Sequence, residues 1–251
     1  MIIDSHTHIE GLPGCPWQDP PEVILELIDE AGVDKAVVMT YVDAPGDFEG
    51  YDPLEYVAQA VEKYPERLIG YARLNPLAGQ VSRDLLEHAI RERGFKGLKL
   101  HPYGYRAWPD SAETLRLIRD AAALCAPTLF HCGDEECTLP LQIARAAAAC
   151  PEASIILGHM GGYFHVDEAI SVARRYENVY LETSAMPYPA KVREAVDAVG
   201  PERVLFASDG PGCPPLLDLH KVKRAKLGKR AERLILGENI TRLLERVGGR
   251  A

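Results

Sequence analysis

No two of the six cysteines, at positions 15, 125, 132, 137, 150 and 213, are spaced C-x-x-C. Scattered through 251 residues, they do not make the disulfide framework of a short secreted domain. They read as reduced thiols of a cytoplasmic protein. A zinc pair of Cys132 and Cys137 is disfavoured, although Cys132 directly follows a candidate ligand and is placed near its pocket. No basic run exceeds Lys221–Arg224, and the net charge is −9. Nucleic-acid phosphates demand a basic face, so a small molecule is the expected partner instead. No stretch approaches about 18 uninterrupted apolar residues, so no membrane span is expected. The start, MIIDSHTHIEG, lacks the basic and apolar regions of a signal peptide. Neither a Gly-rich dinucleotide fingerprint nor a phosphate-binding P-loop follows the first apolar run.

What is present is an alternation of apolar and amphipathic runs from end to end. Strands are expected at Met1–His6, Lys35–Tyr41, Arg67–Leu74, Gly97–His101, Pro127–Cys132, Ala153–His159, Asn178–Thr183 and Arg203–Ser208. Their spacing of roughly 25 to 35 residues suits one strand-loop-helix-loop unit each. Their interiors, such as Ala36-Val37-Val38-Met39 and Ser154-Ile155-Ile156-Leu157, are the near-continuous apolar runs of strands buried on both faces. Pro20-Pro21 and Gly32 bracket a first helix. Leu216 to Val247 reads as two or three helices broken near Gly228 and Gly237. Eight units in a length close to the ~250 residues of the type predict an α/β (β/α)8 TIM barrel. It would form a single domain over residues 1–251 with C-terminal helices. An open doubly wound sheet is the rival architecture, disfavoured by the missing fingerprint.

In a barrel, chemistry collects where strands end. His6 and His8 end the first expected strand, His101 the fourth, His131 the fifth and His159 the sixth, and Asp209 follows the eighth. His88, His165 and His220 fall in helix or loop patterns, where a solvated role is the better reading. A lone strand-end histidine is more often a hydrogen-bonded structural residue than a ligand. The combination is another matter, because residues i and i+2 of a strand share a face. His6 and His8 therefore reach one ion from the same side, and the other groups meet them at one rim.

The motifs Asp4-Ser5-His6-Thr7-His8, Gly97-Leu98-Lys99-Leu100-His101-Pro102, Leu129-Phe130-His131, Leu157-Gly158-His159-Met160-Gly161-Gly162, Leu181-Glu182-Thr183-Ser184 and Leu205-Phe206-Ala207-Ser208-Asp209-Gly210-Pro211 resemble those of the amidohydrolase superfamily. Within it, they are closest to the amidohydrolase-related group that includes aminocarboxymuconate-semialdehyde decarboxylase. The resemblance runs to the tail, Ile235 to Leu244. It implies a divalent ion held by His6, His8, His131 and Asp209, with His159 as an acid/base residue beside it. Zinc is the expected metal, with manganese or iron as alternatives for such ligands, and one ion rather than two. Some relatives carry two ions bridged by a carboxylated strand-four lysine. Lys99 holds a comparable place, its other reading being an inward lysine hydrogen-bonded near the site. Lys99, His101 and His159 are accordingly candidates for second-ion ligands or for site neighbours.

The leading functional expectation is hydrolysis of a C–N or C–O bond (amide, lactone or ester) in a small molecule by a metal-activated water. Asp209 would take the water's proton, and His159 would orient it or stabilise developing charge. The alternative is non-oxidative decarboxylation at the same metal. A non-catalytic metal-binding barrel is a third class, opposed by the pairing of His159 with Asp209. A TatD-like nuclease, suggested by Asp4-Ser5-His6, is disfavoured by the acidic charge and by Leu181-Glu182-Thr183-Ser184. Specificity is expected from loops. Tyr103, Arg106 and Trp108 offer an aromatic wall with a bidentate carboxylate grip, or simply a packed loop. Arg73 is a second anion anchor. Gly11–Trp17 and Asp43–Tyr51 are candidate lids. A homodimer is the candidate assembly.

Overall fold

The apolar runs become strands buried on both faces, described for residues 1–249 in a computed structural model. They are β1 (Ile3–His8), β2 (Lys35–Met39), β3 (Leu68–Gly70), β4 (Ala72–Arg73), β5 (Leu98–Leu100), β6 (Thr128–Phe130), β7 (Ile155–Leu157), β8 (Val179–Glu182) and β9 (Val204–Leu205). All ladder pairs are parallel. The third expected strand is split into β3 and β4 at Tyr71. The Tyr71 N–H donates to Val38 O on one side (3.0 Å), and the next N–H, of Ala72, donates to Gly97 O on the other (2.9 Å). That switch leaves two hydrogen-bonded sets, β1-β2-β3 and β4 through β9 in order.

The cylinder closes between its first and last strands. Ser5 N donates to Phe206 O (3.1 Å), Asp209 N to His6 O (2.8 Å) and His8 N to Gly210 O (2.7 Å). The protein is therefore a (β/α)8 barrel, as expected. The last strand is shorter than Arg203–Ser208 because its neighbours change: Phe206 N donates to Ile235 O, in the C-terminal helices, and Ala207 N to Thr183 Oγ1.

Helices follow the strands in turn: α1 (Pro21–Ala31), α2 (Pro53–Lys63), α3 (Gln80–Arg91), α4 (Pro102–Tyr105), α5 (Ala112–Ala123), α6 (Pro140–Ala149), α7 (Val166–Arg175), α8 (Pro189–Val199), α9 (Pro215–Arg224), α10 (Lys229–Arg233) and α11 (Asn239–Leu244). In α1 the sequence signals act as read. Proline sits at its first turn, Gly32 ends it in the left-handed conformation (φ 68°), and Ile24, Ile28 and Ala31 are its buried stripe. The expected break near Gly237 is absent. A π-helical turn, Leu234–Glu238, joins α10 to α11. Gly237 is small there because Met1's carbonyl lies where a Cβ would go. None of the described helices is long and apolar enough to cross a membrane. The last two residues of the expected domain, 250 and 251, lie outside the described ones.

Inside the barrel, Ile3, Val37, Met39, Tyr71, Leu129, Ile156 and Leu205 form an apolar plug, sealed from below by Ile240, Leu243 and Leu244 of α11. Inward residues recur every second position, so the rows above this plug carry the polar groups.

Candidate metal centre

Strand register places the site. Lys99 is level with Leu129, and Leu129 with Ile156, so Lys99 stands in an inward row. Two residues further along their strands come His101 and His131, and β8 ends on Glu182. Between Asp4 and Thr7 the pairing of β1 with β2 shifts register. Such irregularities re-aim side chains near functional sites, and here the shift brackets His6. His159 (φ 58°), Met160 (φ 48°) and Asp209 (φ 67°) are left-handed without being glycine. Strain of this kind persists only where surrounding contacts impose it.

Three groups meet closely. His8 Nε2 lies 3.2 Å from Asp209 Oδ1 and His6 Nε2 lies 3.5 Å from it. The opposite nitrogens are tethered. His6 Nδ1 contacts Glu182 Oε1 at 2.9 Å and His8 Nδ1 contacts Thr40 O at 3.3 Å. His131 follows the same scheme from the end of β6, with Nε2 2.9 Å from Asp134 Oδ2. Its Nδ1 faces His159 Nε2 at 3.1 Å, and His159 Nδ1 is 2.7 Å from Ser184 Oγ. Each imidazole thus spends one nitrogen on an oxygen partner and turns the other inward, the arrangement by which outer groups orient metal-binding histidines. His131 is not part of the tight trio of His6, His8 and Asp209; its inward nitrogen adjoins His159.

Four contacts join Glu182, Ser184, His159, His131 and Asp134 in a row. Burial holds His131 well below its ordinary imidazole range. A neutral His131 that gives its proton to Asp134 has its Nδ1 lone pair toward His159 Nε2. The donor set of neutral imidazoles and a carboxylate fits a divalent ion. Burial, with Lys99, also keeps His6 far below its usual value. Burial would raise the Asp209 carboxyl, but His159, His8 and Lys99 outweigh it and hold it well below the carboxylate range.

Lys99 Nζ lies 2.7 Å from His6 Nε2. Burial, with Arg73 adding repulsion, pushes its ammonium down to about 7. Arg73 is buried and donates through Nε to Asp43 Oδ1 (2.7 Å). His101 accepts from Gly104 N at Nδ1 (3.0 Å) and packs on the His131 ring, centroids 4.2 Å apart.

A cavity of about 290 Å³ opens over these groups, lined by Trp17, Tyr41 and Arg73 as well as His8, His101 and His131. Its aromatic wall comes from the β1 and β2 ends. Tyr41 stacks on His8 with centroids 4.4 Å apart, and Trp17, in the expected lid Gly11–Trp17, lies 5.7 Å from Tyr41. Tyr103, Arg106 and Trp108 do not line it; Tyr103 and Trp108 are 48% and 55% exposed. The His101 side chain caps the short α4, in which Pro102 and Tyr105 are buried while Tyr103 turns outward. Cys132 is packed in the core, and no cysteine joins a metal-capable group among the described residues. Sequence reasoning missed Glu182, Asp134 and Tyr41 as site residues. Glu182 and Tyr41 carried a usable signal, since β8 ends on Glu182 and the expected strand Lys35–Tyr41, observed as Lys35–Met39, ends on Tyr41.

A parallel barrel that gathers neutral imidazoles and carboxylates at the C-terminal ends of its strands has the makings of a metal-dependent barrel enzyme. The amidohydrolase family model matches residues 3–246, and the chain belongs to that family. Solved structures agree in fold. 5-Carboxyvanillate decarboxylase from Sphingomonas paucimobilis is 16% identical with a TM-score of 0.77, covering 97% of this chain and 98% of its own. Dihydroxybenzoic acid decarboxylase from Polaromonas, solved with manganese and the inhibitor 2-nitroresorcinol, is 18% identical with a TM-score of 0.76, covering 97% and 96%. A TIM-barrel protein from Bordetella bronchiseptica is 19% identical with a TM-score of 0.77, covering 98% of each chain. The search of curated proteins finds no match.

Proposed function

We propose that this protein removes a carboxyl group non-oxidatively from a small aromatic acid, at one divalent ion held by His6, His8, His131 and Asp209. The observation that carries the reading is the set of tethered imidazoles of His6, His8 and His131, each with its second nitrogen turned inward, beside a cavity that also holds a buried arginine and an aromatic wall. The decarboxylases of like fold, one with manganese bound, support this over hydrolysis and place manganese beside zinc as the metal to test. When bound, the ion supplies fixed positive charge and Lewis acidity for a substrate oxyanion.

The protein's own groups do the rest. Arg73 faces the acid's carboxylate, and Tyr41 and Trp17 flank its ring. A proton is added to the ring carbon that bears the carboxylate. The bond to the carboxylate breaks, its electron pair returns to the ring, and carbon dioxide leaves. His159 Nε2 is the donor we assign, since Asp209 is held ionised and His159 is anchored from behind by Ser184. The same ionised Asp209 favours a second reading, hydrolysis of an amide, lactone or ester, for which it is the base.

The test is incubation of metal-loaded protein with carboxylated phenols and with lactones and amides, following carbon dioxide and new acid separately. Carbon dioxide release supports decarboxylation. New acid without carbon dioxide supports hydrolysis. Silence from the fully loaded protein across both panels overturns both.

A further inference from the structure

We infer that Glu182 is a positioning residue, a single buried carboxylate that sets both the tautomer in which His6 offers a nitrogen to the ion and the backbone turn that presents His159. This rests on the metal centre proposed above. Glu182 is 0% exposed. Its Oε1 accepts from His6 Nδ1 (2.9 Å), from the His159 backbone N (2.7 Å) and from Ser184 Oγ (2.9 Å), and its Oε2 accepts from Ser184 N (2.6 Å).

A backbone N–H donates to each oxygen of Glu182, which makes it an acceptor here, so His6 carries its proton on Nδ1, and its Nε2 lone pair faces Lys99 Nζ (2.7 Å) and Asp209. The His159 N–H held by Glu182 opens the left-handed pair His159–Met160, where a non-glycine backbone needs an outside anchor. Gly158 makes room for this anchor. A Cβ there would sit 2.5 Å from Phe130 O and 3.4 Å from Glu182 Oε1. His159 Nδ1 is also tied to Glu182 through Ser184 Oγ. Glu182 therefore touches every link between the first ligand and the proton donor without facing the cavity itself.

Glu182→Gln keeps the shape but puts a donor among four donors. The two backbone N–H groups cannot move their protons. His6 can, and a shift to Nε2 removes its metal-binding lone pair.

The experiment strips metal from wild type and Glu182→Gln, then titrates both with Mn²⁺ by electron paramagnetic resonance. Imidazole tautomers are read from long-range ¹H–¹⁵N spectra of the metal-free proteins. The expected results are His6 protonated at Nδ1 in wild type, Mn²⁺ binding weakened about 10- to 100-fold in the variant, and partial recovery in Glu182→Asp. Mn²⁺ affinity in a folded Glu182→Gln within about threefold of wild type overturns the inference, even if its Tm falls. So does a wild-type His6 protonated at Nε2, a measurement that decides the matter alone if the variant does not fold. A wild type that binds Mn²⁺ but releases no carbon dioxide defeats the proposed reaction and leaves this test intact. A wild type that binds no Mn²⁺ defeats the centre itself.

Discussion

Lys99→Met should make the metal-free protein more stable, and by an amount that depends on pH. Lys99 is fully buried, beside His6 and the like charge of Arg73. Its ammonium falls from the ordinary 10.5 to about 7. At ~1.4 kcal/mol per pH unit, that fall corresponds to a burial cost of about 5 kcal/mol. The folded value lies below the unfolded one, so the direction follows. Below about pH 7 both states hold the proton and the whole cost is present. Between about 7 and 10.5 the folded protein has released it while the unfolded chain keeps it, so the cost fades as pH rises. It is about 5 kcal/mol at pH 6 and about 2 kcal/mol at pH 9. Methionine removes that cost but forfeits the hydrogen bond to His6 Nε2, worth about 1 kcal/mol. The net gain is about 3–4 kcal/mol at pH 6, within the range for replacing buried charge by apolar groups, and about 1 kcal/mol at pH 9. Urea denaturation with a chelator present, at both pH values, measures it. A variant less stable than wild type at pH 6, or a gap that ignores pH, refutes the reasoning. A wild type that gains stability when bicarbonate is added would instead mean that Lys99 carries a carboxyl group, the bridging role known among the superfamily.

The remaining expectations concern the centre. Elemental analysis should find about one divalent ion per chain. His6→Ala and His131→Ala should lower it while the solvent-exposed His88→Ala leaves it unchanged, and equal metal content in all three counts against the ligand set. Asp209→Asn should retain much of the metal while turnover falls if the reaction is hydrolysis, by about 10²–10⁴-fold for a lost base; a near-normal kcat places the proton transfer on His159. Arg73→Met should raise KM for a carboxylated substrate at least tenfold, whereas Trp108→Ala, outside the cavity, should leave KM within about twofold. The reverse pattern would return substrate binding to the Tyr103–Trp108 segment.

The barrel was legible in the chain because burial on both faces writes a strand as a plain apolar run. Ala36 to Met39 and Ile155 to Leu157 carry that pattern without reference to any partner. The ends of those runs then marked His6, His8, His101, His131, His159 and Asp209, since a parallel barrel brings all its strand ends to one rim. Local sequence could not say which groups touch. Glu182 and His6 stand 176 positions apart, and only closure of the cylinder brings them into contact. Nor could it say where the loops go. Tyr103 and Trp108 looked like a pocket wall, yet the His101 side chain caps a short helix that turns them to solvent, and Tyr41 stacks on His8 in their place. Residue type and period determined which side chains reach the rim. The tautomers, the tethers and the shape of the cavity were decided by tertiary structure alone, because each depends on a hydrogen bond or a packing contact between segments that have no neighbourhood in the sequence.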